Sequence, residues 1–422
     1  MASPQLSPDP PRASYAVAGV LLQVLLGVVY SWSVFRVPLA TAYHWSAAQT
    51  VAPFRYSLLV LALSMIVGGL WQDRSGPRVV ATAGGAVLGI GWALAGIVGN
   101  TPTGLILAYG VLVGIGTGFA YVAPIATLLK WFPDKRGLMV GLAVMGVGVS
   151  PLVFAPIIEA LLGSNPALFA TTIPRTFFIL AAVCFAGVAG AGQFCRTPPP
   201  GWKPAGWQPK ASAAPARESV STKGMLSSWQ FYALWVVYFL GSSVGLTAIA
   251  ETSPQVRALA GKAALSGGLA LGLMSVFNGV GRLAWGGVSD WLGRTRTLLA
   301  MCACSVFACV FLLRQATGFW QLQVGLCLAA FAYGGYLALM PSLTADYYGP
   351  KHVGANYGLV FAAWGLCGFI VPGYFAQITD RARAAGNLAA GYNEIYLTLA
   401  GMAVVCALVV MMLRPPRAAA KS

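Results

Sequence analysis

Arg282 is the residue whose setting asks for an explanation. It lies in the run Leu271-Gly-Leu-Met-Ser-Val-Phe-Asn278-Gly-Val-Gly-Arg282-Leu-Ala-Trp285, which carries no other charge. Placing an arginine at the centre of such a segment in a bilayer costs at least about 2.5 kcal/mol. Every acid in the chain lies in a loop, a tail or near the end of an apolar run, Glu159 and Glu251 included. A guanidinium without a buried partner in a low-dielectric cavity calls for a carboxylate, which it grips through two parallel hydrogen bonds. Two other readings stay open: the side chain snorkels to the nearer face, or it pairs with Asp290, roughly 12 Å further along the helix. Asn278, one helical turn from Arg282, can donate to a carboxylate oxygen or make an interhelical packing bond.

Tyr121 and Tyr333 sit in equivalent apolar runs of the two halves, and each joins an apolar body to a hydroxyl donor. They suit a small organic anion in an otherwise greasy cavity, although a buried tyrosine with a local backbone partner is an equal alternative. Phe361, with Tyr30, Trp32 and Trp364, can line the same cavity. Little else in the chain does chemistry. His44 and His352 fall on opposite sides of the membrane in the topology below, so no histidine-based metal site is expected. The eight cysteines read as small packing residues in or at the ends of apolar runs. No paired catalytic groups occur in the runs, so neither an enzyme nor a cofactor is expected.

These residues need apolar helices to position them, and the composition supplies such helices. Of 422 residues, 58% are hydrophobic and 9% charged, against about 25% charged in a soluble domain. A hydrocarbon core about 30 Å thick takes about 20 residues of helix. Twelve runs of that kind are expected at 15–35, 54–71, 79–99, 104–128, 138–161, 175–194, 228–249, 265–287, 296–315, 320–342, 355–377 and 395–413. The first 14 residues are Pro- and Ser-rich and read as a disordered tail, with a second tail at 414–422. Of 26 basic residues, 17 fall on the side of the termini, which places both termini in the cytoplasm. The net charge of +16 is spread over separate loops with no folded basic domain, which argues against nucleic-acid binding.

The long break at 196–226, rich in Pro, Ala, Ser and Lys, reads as a flexible linker. It separates a six-helix lobe at 15–195 from another at 227–413. The lobes repeat each other. Gly69-Leu-Trp-Gln-Asp73-Arg74-Ser-Gly76-Pro-Arg78 follows the second run and Gly286-Gly-Val-Ser-Asp290-Trp-Leu-Gly293-Arg294-Thr-Arg296 the eighth, with Asp73 and Asp290 217 residues apart. Trp131-Phe-Pro-Asp-Lys-Arg-Gly137 and Tyr347-Tyr-Gly-Pro-Lys-His-Val-Gly354 repeat at 216. Two like-oriented repeats imply an axis along the membrane normal and a solute site between the lobes near the midplane.

The pattern Gly-x-x-x-Asp-Arg-x-Gly-x-Arg at Gly69 to Arg78 resembles the signature of the major facilitator superfamily. The resemblance implies an all-α integral membrane fold of twelve helices in two six-helix repeats. It also implies cytoplasmic gate contacts by Asp73, Arg74 and Arg78 and by Asp290 and Arg294; plain topogenic charge is the alternative. Gly146-Val-Gly148-Val-Ser150-Pro151 is similar to the family's Gly-Pro motif, where small residues permit close helix approach. Gly27-Val-Val-Tyr30-Ser-Trp32-Ser-Val-Phe35, the Asn278-x-x-x-Arg282 step and Pro341-Ser-Leu-Thr-Ala-Asp346 resemble the monocarboxylate transporter and oxalate/formate exchanger group. That resemblance implies small carboxylates such as lactate or pyruvate as cargo, with Arg282 as the carboxylate-binding arginine.

Two departures narrow the reading. The monocarboxylate branch usually carries an acid where Asn278 stands and a lysine in the first helix, and this first run has no lysine. The oxalate branch has a second cation in the eleventh helix, and Phe361 to Phe375 holds none. One buried cation fits a monocarboxylate, carried by proton-coupled symport, with anion exchange as the alternative. The partners are then the carboxylate, protons and the lipid bilayer of a bacterial inner membrane, and a monomer suffices.

Overall fold

The computed structural model describes residues 12–132, 136–199, 202, 204, 220–260, 267–349 and 353–414. Twelve long helices account for most of these: α1 (Arg12–Tyr43), α2 (Ala47–Ser75), α3 (Pro77–Val98), α4 (Pro102–Leu128), α5 (Arg136–Leu162), α6 (Pro166–Gly192), α7 (Trp229–Ala260), α8 (Gly267–Leu292), α9 (Arg294–Leu313), α10 (Phe319–Tyr348), α11 (Val353–Ala384) and α12 (Leu388–Met412). Eleven are long and apolar enough to cross a membrane. The exception is α8. Its 26 residues span about 39 Å, but Asn278, Arg282 and Asp290 lower its hydropathy. The helix that reads worst as a membrane span is the one that carries the candidate ligand.

Only side chains distinguish one helix from another here, because in lipid every backbone polar group must be satisfied within its own segment. Local sequence sets the ends. Ser46 and Gln49 form a reciprocal capping box at the start of α2. Gly76 (φ 80°) turns the chain from α2 into α3, and Gly293 (φ 88°) turns it from α8 into α9. The two glycines are 217 residues apart, so the repeat written in the loop motif is also written in the backbone. With ψ near 160° and 152°, both occupy a region open almost only to glycine. Gly293→Ala is expected to cost about 1–3 kcal/mol, read as a lower melting temperature of the purified protein.

The helices form two six-helix repeats joined along two long seams, α5 against α8 and α2 against α11. Glycine makes the seams close. A Cβ on Gly148 would lie 2.6 Å from Asn278 Oδ1, and one on Gly365 of α11 would lie 2.3 Å from Ala62 Cβ of α2. On its other side, Gly146 seats α5 against Val20 and Gln23 of α1. The Gly146-Val-Gly148 segment therefore wedges α5 between α1 and α8.

Two expectations change. The first helix runs to Tyr43, so Arg36 lies inside it and not beyond its end; a charge closes a hydropathy window even when the structure neutralises that charge. Glu251 is buried in α7 at 2% exposure, so acids are not confined to water-facing ends. Residues 1–11, 200–201, 203, 205–219 and 415–422, which hold most of the two tails and of the linker, lie outside the described residues. Trp202, from the linker, packs edge-on against Trp131, where the helix continues past Leu128.

Candidate functional site

Arg282 projects from α8 into the seam between the repeats and is buried at 2% exposure. It neither snorkels nor meets Asp290, which pairs instead with Arg294 at 2.9 Å. Its Nε donates to Asn278 Oδ1 at 3.0 Å and its Nη1 to the backbone carbonyl of Val144 in α5 at 2.5 Å. Nη2 and Asn278 Nδ2 are buried and donate to no described residue. A guanidinium held by two such bonds thus keeps a third donor, and the neighbouring amide keeps another. The open choice for Asn278 resolves as a positioning contact within α8 that leaves its own donor free.

Tyrosines surround this donor pair. The Tyr30 and Tyr121 hydroxyls flank the guanidinium. Tyr30 Oη lies 3.2 Å from Tyr333 Oη, which accepts from Trp364 Nε1 at 2.8 Å. Phe361 stacks on Trp364 with ring centroids 4.8 Å apart and faces Tyr121 at 6.4 Å. Arg282, Asn278, Tyr121, Tyr333 and Phe361 therefore meet in one place. Tyr30 and Trp364, which the sequence offered only as lining, complete the relay. Gly245 lets Tyr333 in, since a Cβ there would lie 2.1 Å from the ring.

The small cavity beside this cluster measures about 10 Å³ and is walled by Tyr30, Tyr121, Val147, Phe361 and Trp364 among others. That is room for about one water, so the site is shut and an organic acid enters only when the lobes move. Gly148, next to the wall residue Val147, abuts Asn278 and Arg282. Gly148→Ala puts a methyl group 2.6 Å from Asn278 Oδ1 and 3.1 Å from Arg282 Nε. The variant is expected to keep its fold and lose transport about tenfold or more, as a displacement near 1 Å at a binding centre does. Uptake assays on purified variant and parent check this.

The two faces of the bundle differ. On the face opposite the termini, polar contacts cross between the repeats. Arg36 of α1 pairs with Glu251 of α7, both nearly inaccessible, and donates to the carbonyl of Ala250 at 2.7 Å. Asp380 of α11 accepts from the amides of Ala47 and Ala48 at the start of α2, at 2.7 and 2.9 Å. Glu159 of α5 accepts from the amide of Gly268 at the start of α8, at 2.9 Å, and pairs with Arg257 at 3.2 Å. The last two contacts are counterparts under the repeat, each a carboxylate capping a helix N-terminus of the other half.

On the terminal face, the contacts that Arg78, Asp290 and Arg294 make with described residues fall within their own halves. Arg78 donates to Gln193 at 2.7 Å. Arg294 bonds Asp290, Ser289 and Asp346. Arg74 is exposed, and the side chain of Asp73 lies outside the described residues. Among the described residues, the charged contacts that cross between the repeats lie on the face the loop motif does not mark.

A twelve-helix membrane bundle in two repeats, with a buried cation and a ring of tyrosines at their junction, defines the solute-carrier class. The chain belongs to the major facilitator superfamily, whose family model matches residues 17–372. It is 30% identical to the oxalate:formate antiporter of Oxalobacter formigenes, over 92% of this chain and 88% of that one. It is 27% identical to apicoplast pyruvate carrier 1 of Toxoplasma gondii, over 82% and 79%. A shorter match, 33% of each chain at 31% identity, links it to monocarboxylate transporter 13 of Rattus norvegicus. In fold it is similar to a bacterial homologue of the human lysosomal transporter Spinster, crystallised inward-facing and unoccupied. The TM-score is 0.71 at 17% identity, over 96% of this chain and 97% of that one.

Proposed function

We propose that the chain carries small monocarboxylates of the lactate and pyruvate type across a bacterial inner membrane, by proton-coupled symport through alternating access. The observation that carries this reading is the buried Nη2 of Arg282, a cationic donor aimed at the junction with no described acceptor. Arg282 grips the carboxylate, Asn278 holds the guanidinium and adds its own amide donor, and Tyr121 and Tyr333 meet the remaining oxygens. Phe361 and Trp364 cover the apolar tail. A single buried cation in a wall of aromatic rings matches one negative charge and a short hydrocarbon end.

In this reading the lobes are 15–195 and 227–413, joined by the 196–226 linker, and both termini are cytoplasmic. The face with these crossing contacts is then the outer one. Asp73, Arg74 and Arg78, with Asp290 and Arg294, engage across the lobes when the carrier opens outward. A second reading, anion exchange, is favoured by the 30% identity to an antiporter.

Reconstituted protein and labelled L-lactate separate the two. Symport gives uptake that rises with an inward proton gradient and needs no internal anion. Exchange gives uptake only into vesicles preloaded with a counter-anion, and indifference to the gradient removes the symport reading.

A further inference from the structure

Glu251 is an acid buried at the outer face of a membrane protein, and the binding site does not use it. Its Oε1 pairs with Arg36, while its Oε2 is buried and bonded to no described residue. Arg36 has other acceptors: the carbonyls of Ala250 and Ala47, at 2.7 and 3.3 Å, and Thr50 Oγ1 at 3.3 Å. The arginine stays hydrogen-bonded when its acid partner becomes neutral. The acid has no such alternative.

We propose that Glu251 is a proton-binding site in the outer gate. A proton from the outer water neutralises the carboxylate, dissolves the ion pair with Arg36 and releases the outer face to open. The proposal takes its sides and its gate from the carrier reading above, but not its substrate.

The physical case rests on what separation of the lobes does to each group. Outward opening draws α1 and α2 away from α7, so the pair between Arg36 and Glu251 exists only in the closed arrangement. Neutralising the acid removes a contact that only the closed arrangement contains. The proton enters from the outer water as the lobes part and returns there when Arg36 comes back, so external acid shifts the population outward. Three other ionisable side chains face Glu251. Arg36 reaches it from α1, and Tyr392 and Tyr396 from α12, with Arg383 of α11 beyond Tyr392. Arginine and tyrosine ordinarily titrate far above the acid range.

Glu159 and Asp380 are carboxylates of the same gate but act differently. Both lie nearer water and accept from backbone amides, and a neutral carboxyl keeps an oxygen that can still accept. Their protonation weakens a cap. Protonation of Glu251 removes a buried ion pair that bridges the lobes.

Hydrogen exchange of the full-length, ligand-free protein in lipid nanodiscs tests the proposal. The readout is the first turn of α2, where the Ala47 and Ala48 amides are held by Asp380 across the closed face. Exchange times at pH 5.5 and 7.5 are scaled for the intrinsic chemical rate. Protection in the wild type is expected to fall on acidification, by up to about tenfold per pH unit for one linked proton. Glu251→Gln is expected to be deprotected already at pH 7.5 and flat with pH. The double variant Glu159→Gln/Asp380→Asn keeps the wild-type slope.

A wild type with no slope, a Glu251→Gln variant that keeps the slope, or its loss in the double variant overturns the proposal. The double variant decides the matter even where Glu251→Gln does not fold. No substrate enters the experiment, so its failure leaves the carboxylate reading standing, and a failure of lactate uptake leaves this one standing.

Discussion

Replacing Arg282 with alanine is expected to abolish carboxylate uptake while leaving the protein folded. The arginine is buried at 2% exposure, bonded to Asn278 Oδ1 and the Val144 carbonyl, flanked by the Tyr30 and Tyr121 hydroxyls, and paired with no acid among the described residues. Its removal therefore strands no buried counter-ion. What disappears is the charge that compensates the substrate's. Truncating one side of a buried charge pair costs about 2–5 kcal/mol, a factor of roughly 30 to 4,000 in affinity. Arg282→Lys is expected to recover little, because an ammonium cannot bond Asn278, Val144 and a carboxylate in one plane. Initial rates of labelled lactate uptake, with thermal melts to confirm the fold, check both variants. Uptake within threefold of the parent in Arg282→Ala would assign the binding charge elsewhere.

The second large effect is expected at Arg36→Ala. Here a counter-ion is stranded, because Glu251 stays buried with both oxygens unpaired. Breaking a buried ion pair from one side costs about 3–5 kcal/mol, and in this chain the cost falls on the closed arrangement, in which α1 and α7 meet. The expected outcome is a lower melting temperature and faster hydrogen exchange at the start of α2. An unchanged melt and unchanged protection would mean that the pair contributes nothing to holding this face shut. Arg282→Ala and Arg36→Ala thus separate two buried arginines with opposite signatures: one loses transport and keeps stability, the other loses stability of one state.

The two arginines also mark how far the sequence could be read. Arg282 stood out because nothing near it in sequence neutralised it, and the structure brings Asn278, Tyr121, Tyr333 and Phe361 to it. The fold was legible for a related reason: a bilayer permits few architectures, and the loop motif at Asp73 recurs at Asp290 and fixes the repeat. Arg36 was hidden because its partner lies 215 residues away, and a hydropathy pattern treats any charge as the edge of the membrane. A signal was present, since Glu251 falls in an otherwise uncharged stretch.

Tyr30 and Trp364 were visible only as aromatics among many. Their importance comes from the hydroxyl and indole contacts that converge on Tyr333, and contacts between separate helices leave no local trace. The same holds for the carboxylate caps of Glu159 and Asp380. They are counterparts under the repeat, but as letters they are two acids near helix ends.

The central claim is that Arg282 recognises a carboxylate, and direct binding tests it without the complications of transport. Isothermal titration of the purified protein with L-lactate, and then with its neutral amide, lactamide, isolates the charge while keeping the size and the hydroxyl. The account predicts that lactate binds, that lactamide does not, and that Arg282→Ala binds neither. Equal binding of lactate and lactamide, or lactate binding that survives in Arg282→Ala, would contradict it.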